Sequence, residues 1–174
     1  MTARTILKHL RSLANPANVA GMARYGINTR GTLGVPVATL RQIAREIRAI
    51  DRKRSPKNRQ GDKARRTANE RTAADRHALA LDLWASGIHE ARLLASLIAD
   101  PEAMDRAQAE SWARDLDSWD VTDGLCNNLL RRCSFAWHLV HRWTKRRPEF
   151  IRRAGFTLLA CLAVHDKQAP DARF

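Results

Sequence analysis

Trp119 and Asp123 stand four residues apart in the stretch Arg114-Asp115-Leu116-Asp117-Ser118-Trp119-Asp120-Val121-Thr122-Asp123-Gly124. If Trp119 opens a helix, the two share one face, so that an aromatic plane and a carboxylate point the same way. Such a pair suits a site that handles a cation, because both an indole face and a carboxylate attract positive charge. The stretch carries four carboxylates in a chain whose formal net charge is +13, so it reverses the local sign. A structural reading stands beside this one: Trp119 as a core residue at a helix start, with Asp120 and Asp123 stabilising that N-terminus by about 0.3 to 1 kcal/mol. Asp115, Asp117 and Asp120 are expected to cap helices or to be solvated.

Other candidates carry less chemistry. Cys126, Cys133 and Cys161 are odd in number and form no C-x-x-C, so neither a disulfide framework nor a zinc knuckle is encoded. They are expected to be reduced and to pack as small hydrophobes. His138 and His141, spaced i,i+3, would hold a metal only with a third ligand from elsewhere; no H-E-x-x-H and no carboxylate accompanies them, so no metal is expected. Trp112 and Trp137 are assigned to packing by their apolar neighbours, whereas Trp143 is open to either packing or a nucleic-acid contact.

The elements that must position these residues follow from composition and periodicity. With 174 residues, 44% apolar and 28% charged, the chain has room for one globular domain with a real core. Its charge and its pI near 11.1 point to a polyanionic partner, nucleic acid before membrane surface. No apolar run approaches the roughly 18 to 20 residues of a spanning helix. Met1-Thr2-Ala3-Arg4 has no secretory character, so a cytoplasmic protein is expected.

Apolar positions at 6, 7, 10 and 13 predict a first helix over residues 4–13, ended by Asn15-Pro16. A short helix from Asn18 to Tyr25, with Asn18 as cap, precedes a bend marked by Gly26, Gly31 and Gly34. Pro36 opens the next helix, with Val37, Leu40, Ile43, Ala44 and Ile47 on its buried face; Arg41, Arg45 and Arg48 lie off it, solvated or aimed at phosphate. Between Arg52 and Arg66 stand eight basic residues, among them Arg54, Lys57, Arg65 and Arg66, against one acid, Asp62. A flexible basic insertion over about 51–70 is expected, either tracking a nucleic-acid backbone or merely solubilising.

Beyond it, helices are predicted over 72–86, 89–99 and from Asp100-Pro101, with Asp100 as cap, to about Leu116. Others run from Ser118 or Trp119 to about Arg132, from a Ser134 cap through Val140, and from Glu149 to Val164 behind Pro148. No segment alternates long enough to be a strand. Helix, tight joint, helix at roughly thirty-residue intervals is the pattern of an α-solenoid. The expected architecture is all-α: one domain of helix pairs over 1–167, with a frayed tail at 168–174.

Several segments together carry a family resemblance. These are Met22-Ala23-Arg24-Tyr25-Gly26-Ile27, Gly34-Val35-Pro36 with Leu40-Arg41, Leu83-Trp84 with His89-Glu90-Ala91-Arg92, Asp117 to Asp123, and Arg152-Arg153-Ala154-Gly155-Phe156 with Ala163-Val164-His165-Asp166-Lys167. In this order, from about Gly21 to Lys167, they resemble the AlkD-like DNA alkylation repair family. The resemblance implies a superhelix of HEAT-like helix pairs whose basic concave face binds duplex DNA. It implies a monofunctional glycosylase that removes N3- or N7-alkylated purines and leaves an abasic site, acting as a monomer without metal or redox cofactor. On the matching positions, Asp123 stands where the catalytic carboxylate is expected and Trp119 where an aromatic lines the lesion site. Arg153, and with it Arg152, matches the arginine that contacts the phosphate backbone near the lesion. Family members generally continue for more helices past Lys167, so a C-terminally shortened solenoid is expected. A catalytically silent DNA-binding protein and a helical protein-interaction scaffold are the alternatives.

Overall fold

A computed structural model describes residues 1–54, 62–168 and 170–173, the side chains of 52–54, 62–71 and 173 excepted. All the regular structure among them is helical: α1 (Ala3–Ser12), α2 (Pro16–Ala23), α3 (Val37–Arg54), α4 (Asp62–Ala85), α5 (His89–Ile98), α6 (Arg106–Arg114), α7 (Trp119–Asn128), α8 (Ala136–Trp143) and α9 (Glu149–His165), with 3-10 turns at Leu130–Arg132 and Asp171–Arg173. The expected all-α fold is what forms.

The helices stack in two rows. In one, α3 packs on α5, α5 on α7 and α7 on α9; α4 packs on α5 and α8 on α9. Leu40, Leu83, Leu94, Ile98, Leu125, Leu129, Leu139 and Leu158 fill the space between. Each such side chain, taken fully from water, contributes roughly 1.5 to 3 kcal/mol before entropy is charged against it. The second row is joined by aromatics. Trp84 of α4 stacks on Trp112 of α6, with centroids 4.1 Å apart and planes 2° from parallel, and the Trp143 indole N–H of α8 donates to Glu110 of α6 at 3.0 Å. Trp143 is fully buried, so of its two expected roles packing is the one it takes. Trp112 is buried and Trp137 half-buried, its indole N–H donating to Asp166.

Several helix starts differ from expectation. Asn15 does not merely end α1: its side chain accepts from the Ala17 and Asn18 amides and caps α2, with Pro16 in the first turn. Asn18 instead donates to the Gly34 carbonyl. Asp100-Pro101 starts only a turn, and α6 begins five residues later at a capping box made by Asp105 and Gln108. Phe135, not Ser134, precedes α8, without a side-chain cap. Polar caps compete locally, and tertiary contacts choose among them. Val37 is exposed because α3 begins there, ahead of the stripe Leu40, Ile43, Ala44 and Ile47 that packs. Where an insertion was expected, the backbone is helical to Arg54 and again from Asp62. Residues 55–61, with Lys57, lie outside the described residues, as do the side chains of Arg54, Arg65 and Arg66.

The N-terminal part is clamped to α5 by a buried carboxylate. Glu90, with no exposed surface, accepts the amide hydrogens of Leu33, Gly34 and Val35 at 2.6 to 3.2 Å. Three backbone donors satisfy a charge that would otherwise be costly to bury. Gly34 permits this turn: its φ is +78°, and a Cβ there would run into the Asn15 carbonyl oxygen.

Candidate catalytic site and nucleic-acid interface

Trp119 is the first residue of α7, and Asp123 follows one turn later, as the spacing predicted. The helix start is fixed from below. Ser118 is buried, and its hydroxyl donates to Asp120 at 2.8 Å; the other Asp120 oxygen lies 2.8 Å from Nε2 of His89 on α5. Burial pushes the Asp120 carboxyl up, but His89, the Ser118 hydroxyl and the Val121 amide together outweigh it and leave the group below its ordinary value. Asp120 is therefore a tie between α5 and α7, alongside the Asn128 amide that donates to the Ser96 hydroxyl at 3.0 Å, and not a solvated carboxylate. Asp115 accepts the Trp84 indole N–H at 2.9 Å. Asp117 accepts from Asn28 at 2.9 Å and lies 3.6 Å from Arg92.

Asp123 faces α9. Arg153 holds it with two parallel bonds, Nε to Oδ1 at 3.0 Å and a terminal nitrogen to Oδ2 at 2.7 Å, and Thr157 donates its hydroxyl to Oδ1 at 3.0 Å. Arg153 and Thr157 are one helical turn apart, so a single face of α9 presents both to α7. The guanidinium carbon also lies 5.9 Å from the centroid of the Trp119 ring. Hydrogen bonding to Asp123 lifts Arg153 above its ordinary pKa, against a smaller opposing effect of burial. The cation that the Trp119–Asp123 face collects in the free protein is thus one of its own arginines. The site stays open: the Asp123 side chain is 34% exposed and Trp119 36%. The Trp119 indole N–H donates to the Tyr25 carbonyl at 2.9 Å, which brings the α2 end to the rim.

Arg152, next in sequence, is exposed and makes no ion pair among the described residues. Arg41 and Arg45 are exposed on α3, and Arg48 donates to the Leu97 carbonyl at the end of α5. The structure therefore brings Trp119, Asp123 and Arg153 together, while Arg152 is an exposed cation on the same helix with no ion pair among the described residues. Sequence reasoning missed Thr157, whose i+4 spacing from Arg153 was the available signal, and Glu90, whose neighbours Ala91, Leu93 and Leu94 mark a buried helix.

The thiols offer no nucleophile. Burial raises Cys126 well above its ordinary value, raises Cys161, and pushes Cys133 up to about 11, so all three are protonated near neutrality. Among the described residues no three His, Cys, Asp or Glu side chains converge, and His138 and His141 gain no third partner. No described helix is long and apolar enough to cross a membrane.

Comparison with known proteins adds a family and a fold. The family described as DNA alkylation repair enzyme matches residues 6–172. No curated protein matches the chain. A solved structure, from work on a new family of proteins related to the HEAT-like repeat DNA glycosylases with affinity for branched DNA structures, superposes with a TM-score of 0.74 at 19% identity. The match covers 99% of this chain and 63% of that one, so this chain spans under two thirds of that protein's length. At that identity the likeness is one of fold: two-row helix stacking of the HEAT-like kind.

Proposed function

Because the chain belongs to the DNA alkylation repair enzyme family, we propose that it is a DNA glycosylase acting on N3- or N7-alkylated purines in duplex DNA. Alkylation at either nitrogen gives the purine a fixed positive charge, which weakens the glycosidic bond and makes the base a good leaving group without protonation by an acid. The enzyme then has one charged centre to stabilise. As the bond breaks, the sugar becomes oxocarbenium-like, and a carboxylate beside it stabilises that cation and orients the attacking water. Asp123 takes this role. The exposed part of the Trp119 ring offers a cation–π surface, worth about 0.5 to 2 kcal/mol depending on desolvation. Arg152 takes a backbone phosphate, and Arg153 positions Asp123 with one edge while its remaining N–H groups are directed at phosphate. Base departure and water attack leave an abasic site, with no covalent enzyme intermediate. The partner is duplex DNA bound by a monomer, and the place of action is the cytoplasm at the nucleoid.

The observation that carries this reading is the half-exposed Asp123 carboxylate, fixed in orientation and set beside an exposed indole. Its test is release of 3-methyladenine or 7-methylguanine from methylated duplex by the wild type, and loss of that release in Asp123→Asn.

A second reading rests on the same pair. A bidentate arginine–carboxylate bridge also serves simply to tie α7 to α9, and the superposed structure comes from work on proteins with affinity for branched DNA. A silent HEAT-like binder of branched DNA releases no base and prefers a four-way junction to linear duplex of equal length. A protein-interaction scaffold binds neither better than an unrelated protein of equal charge.

A further inference from the structure

Asp123 has two oxygens and about four lone-pair sites for hydrogen bonds. Three are occupied: Oδ1 accepts from Arg153 Nε at 3.0 Å and from the Thr157 hydroxyl at 3.0 Å, and Oδ2 accepts from the Arg153 terminal nitrogen at 2.7 Å. Among the described residues Oδ1 therefore has two partners and Oδ2 one, so the remaining acceptor site lies on Oδ2. We propose that Thr157 is a positioning residue which, by filling the second site of Oδ1, leaves Oδ2 as the one oxygen of Asp123 able to accept a hydrogen bond from the attacking water. The proposal rests on the glycosylase reading of Asp123 and goes beyond it by assigning the two oxygens different tasks.

Arg153 alone cannot make this distinction. Its two bonds are symmetric between the oxygens, each receiving one, so with Arg153 as the only partner either oxygen can take the water. Thr157 breaks the symmetry. It is half-buried on α9, in the turn after Arg153, where the helix is held against α8 by the close approach of Gly155 to the Thr144 backbone. Its hydroxyl is thus delivered from a rigid element and not from a loop. Directing the water to one oxygen restricts it to one approach to the sugar, and misplacement of a reacting atom by an ångström is enough to lose rate.

Thr157→Val keeps the shape and removes the donor; Thr157→Ser keeps the donor and removes the methyl. The experiment is single-turnover release of 7-methylguanine from methylated duplex by the intact chain, with duplex affinity and melting temperature measured on the same samples. The expected result is a loss of about tenfold in the rate for Thr157→Val, the factor one well-placed hydrogen bond supplies, with affinity unchanged and only a small fall in melting temperature. Thr157→Ser is expected to keep the wild-type rate. An active wild type with an unimpaired Thr157→Val overturns the proposal and leaves the glycosylase reading standing. So does an equal loss in both variants, since the hydroxyl is then not the cause. A wild type that releases no base overturns the glycosylase reading, and this proposal with it.

Discussion

Asp120 and Asp123 lie three residues apart on α7 and do different work because their partners differ. Asp120 turns into the protein, toward His89 and Ser118, and its side chain is 18% exposed; Asp123 turns toward α9 and the open face. The depressed value of Asp120 gives a signed prediction. A carboxyl held below its ordinary 3.8 contributes stability that is present above that value and lost as pH falls through the lower folded value. Asp120→Asn is expected to cost about 1 to 2 kcal/mol in urea unfolding at pH 7 and at pH 5, and the gap from wild type is expected to narrow at pH 3. A gap that is constant across the three pH values would contradict that role. At this scale the sequence disclosed what is local. Trp119 and Asp123 were legible as a pair because helix geometry fixes an i,i+4 relation. Their partners were not: Arg153 and His89 lie about thirty residues away on other helices, and in a chain with 31 Lys and Arg no rule says which one a given Asp will meet.

The pairing of α7 with α9 depends on how closely α9 can approach α8. A Cβ at Gly155 would stand 2.5 Å from the Thr144 nitrogen and 2.8 Å from the Trp143 carbonyl carbon, both backbone atoms that cannot rotate away. Gly155→Ala therefore forces α9 outward. It is expected to cost about 1 to 3 kcal/mol of stability, as overpacking does, and to slow base release because Arg153 and Thr157 ride on the same helix. Chemical denaturation and single-turnover release on one preparation check both; an unshifted melting curve would mean that α9 does not sit this close. Element identity was legible because the apolar 3.6-residue pattern records burial directly. Element starts at Asn15 and Asp100 were not, because each competes with a neighbouring cap on nearly equal local terms, and the winner is set by contacts such as Asn15 N–H to the Leu33 carbonyl; α8 starts behind Phe135 with no side-chain cap, so Ser134 was no guide to it.

The whole molecule carries a formal charge of +13. Under the DNA reading, exposed arginines neutralise phosphates and release counterions, so affinity falls with salt in proportion to the number of contacts. Arg152→Ala is expected to weaken duplex binding to all sequences alike and to lower the slope of log affinity against log salt by about 1. Fluorescence anisotropy between about 50 and 200 mM salt measures that slope; an unchanged slope would remove Arg152 from the interface. Two-row stacking was foreseeable from helix lengths and joints, and the matching fold supports it. The basic segment was foreseeable only as a run of charge, since like charges in sequence specify neither where a helix such as α4 begins nor which way its side chains point.

Under the glycosylase reading the Asp123 carboxylate stabilises the sugar cation and orients the water. The direct measurement is base release from methylated duplex by the wild type and by Asp123→Asn, which keeps the shape and one of the two accepting oxygens but loses the charge. Release of N3- or N7-methylated purines by the wild type, with a loss of about a hundredfold or more in the variant at unchanged duplex affinity, is the predicted result. Release that survives the substitution, or a folded wild type that binds DNA and releases no base, would contradict it.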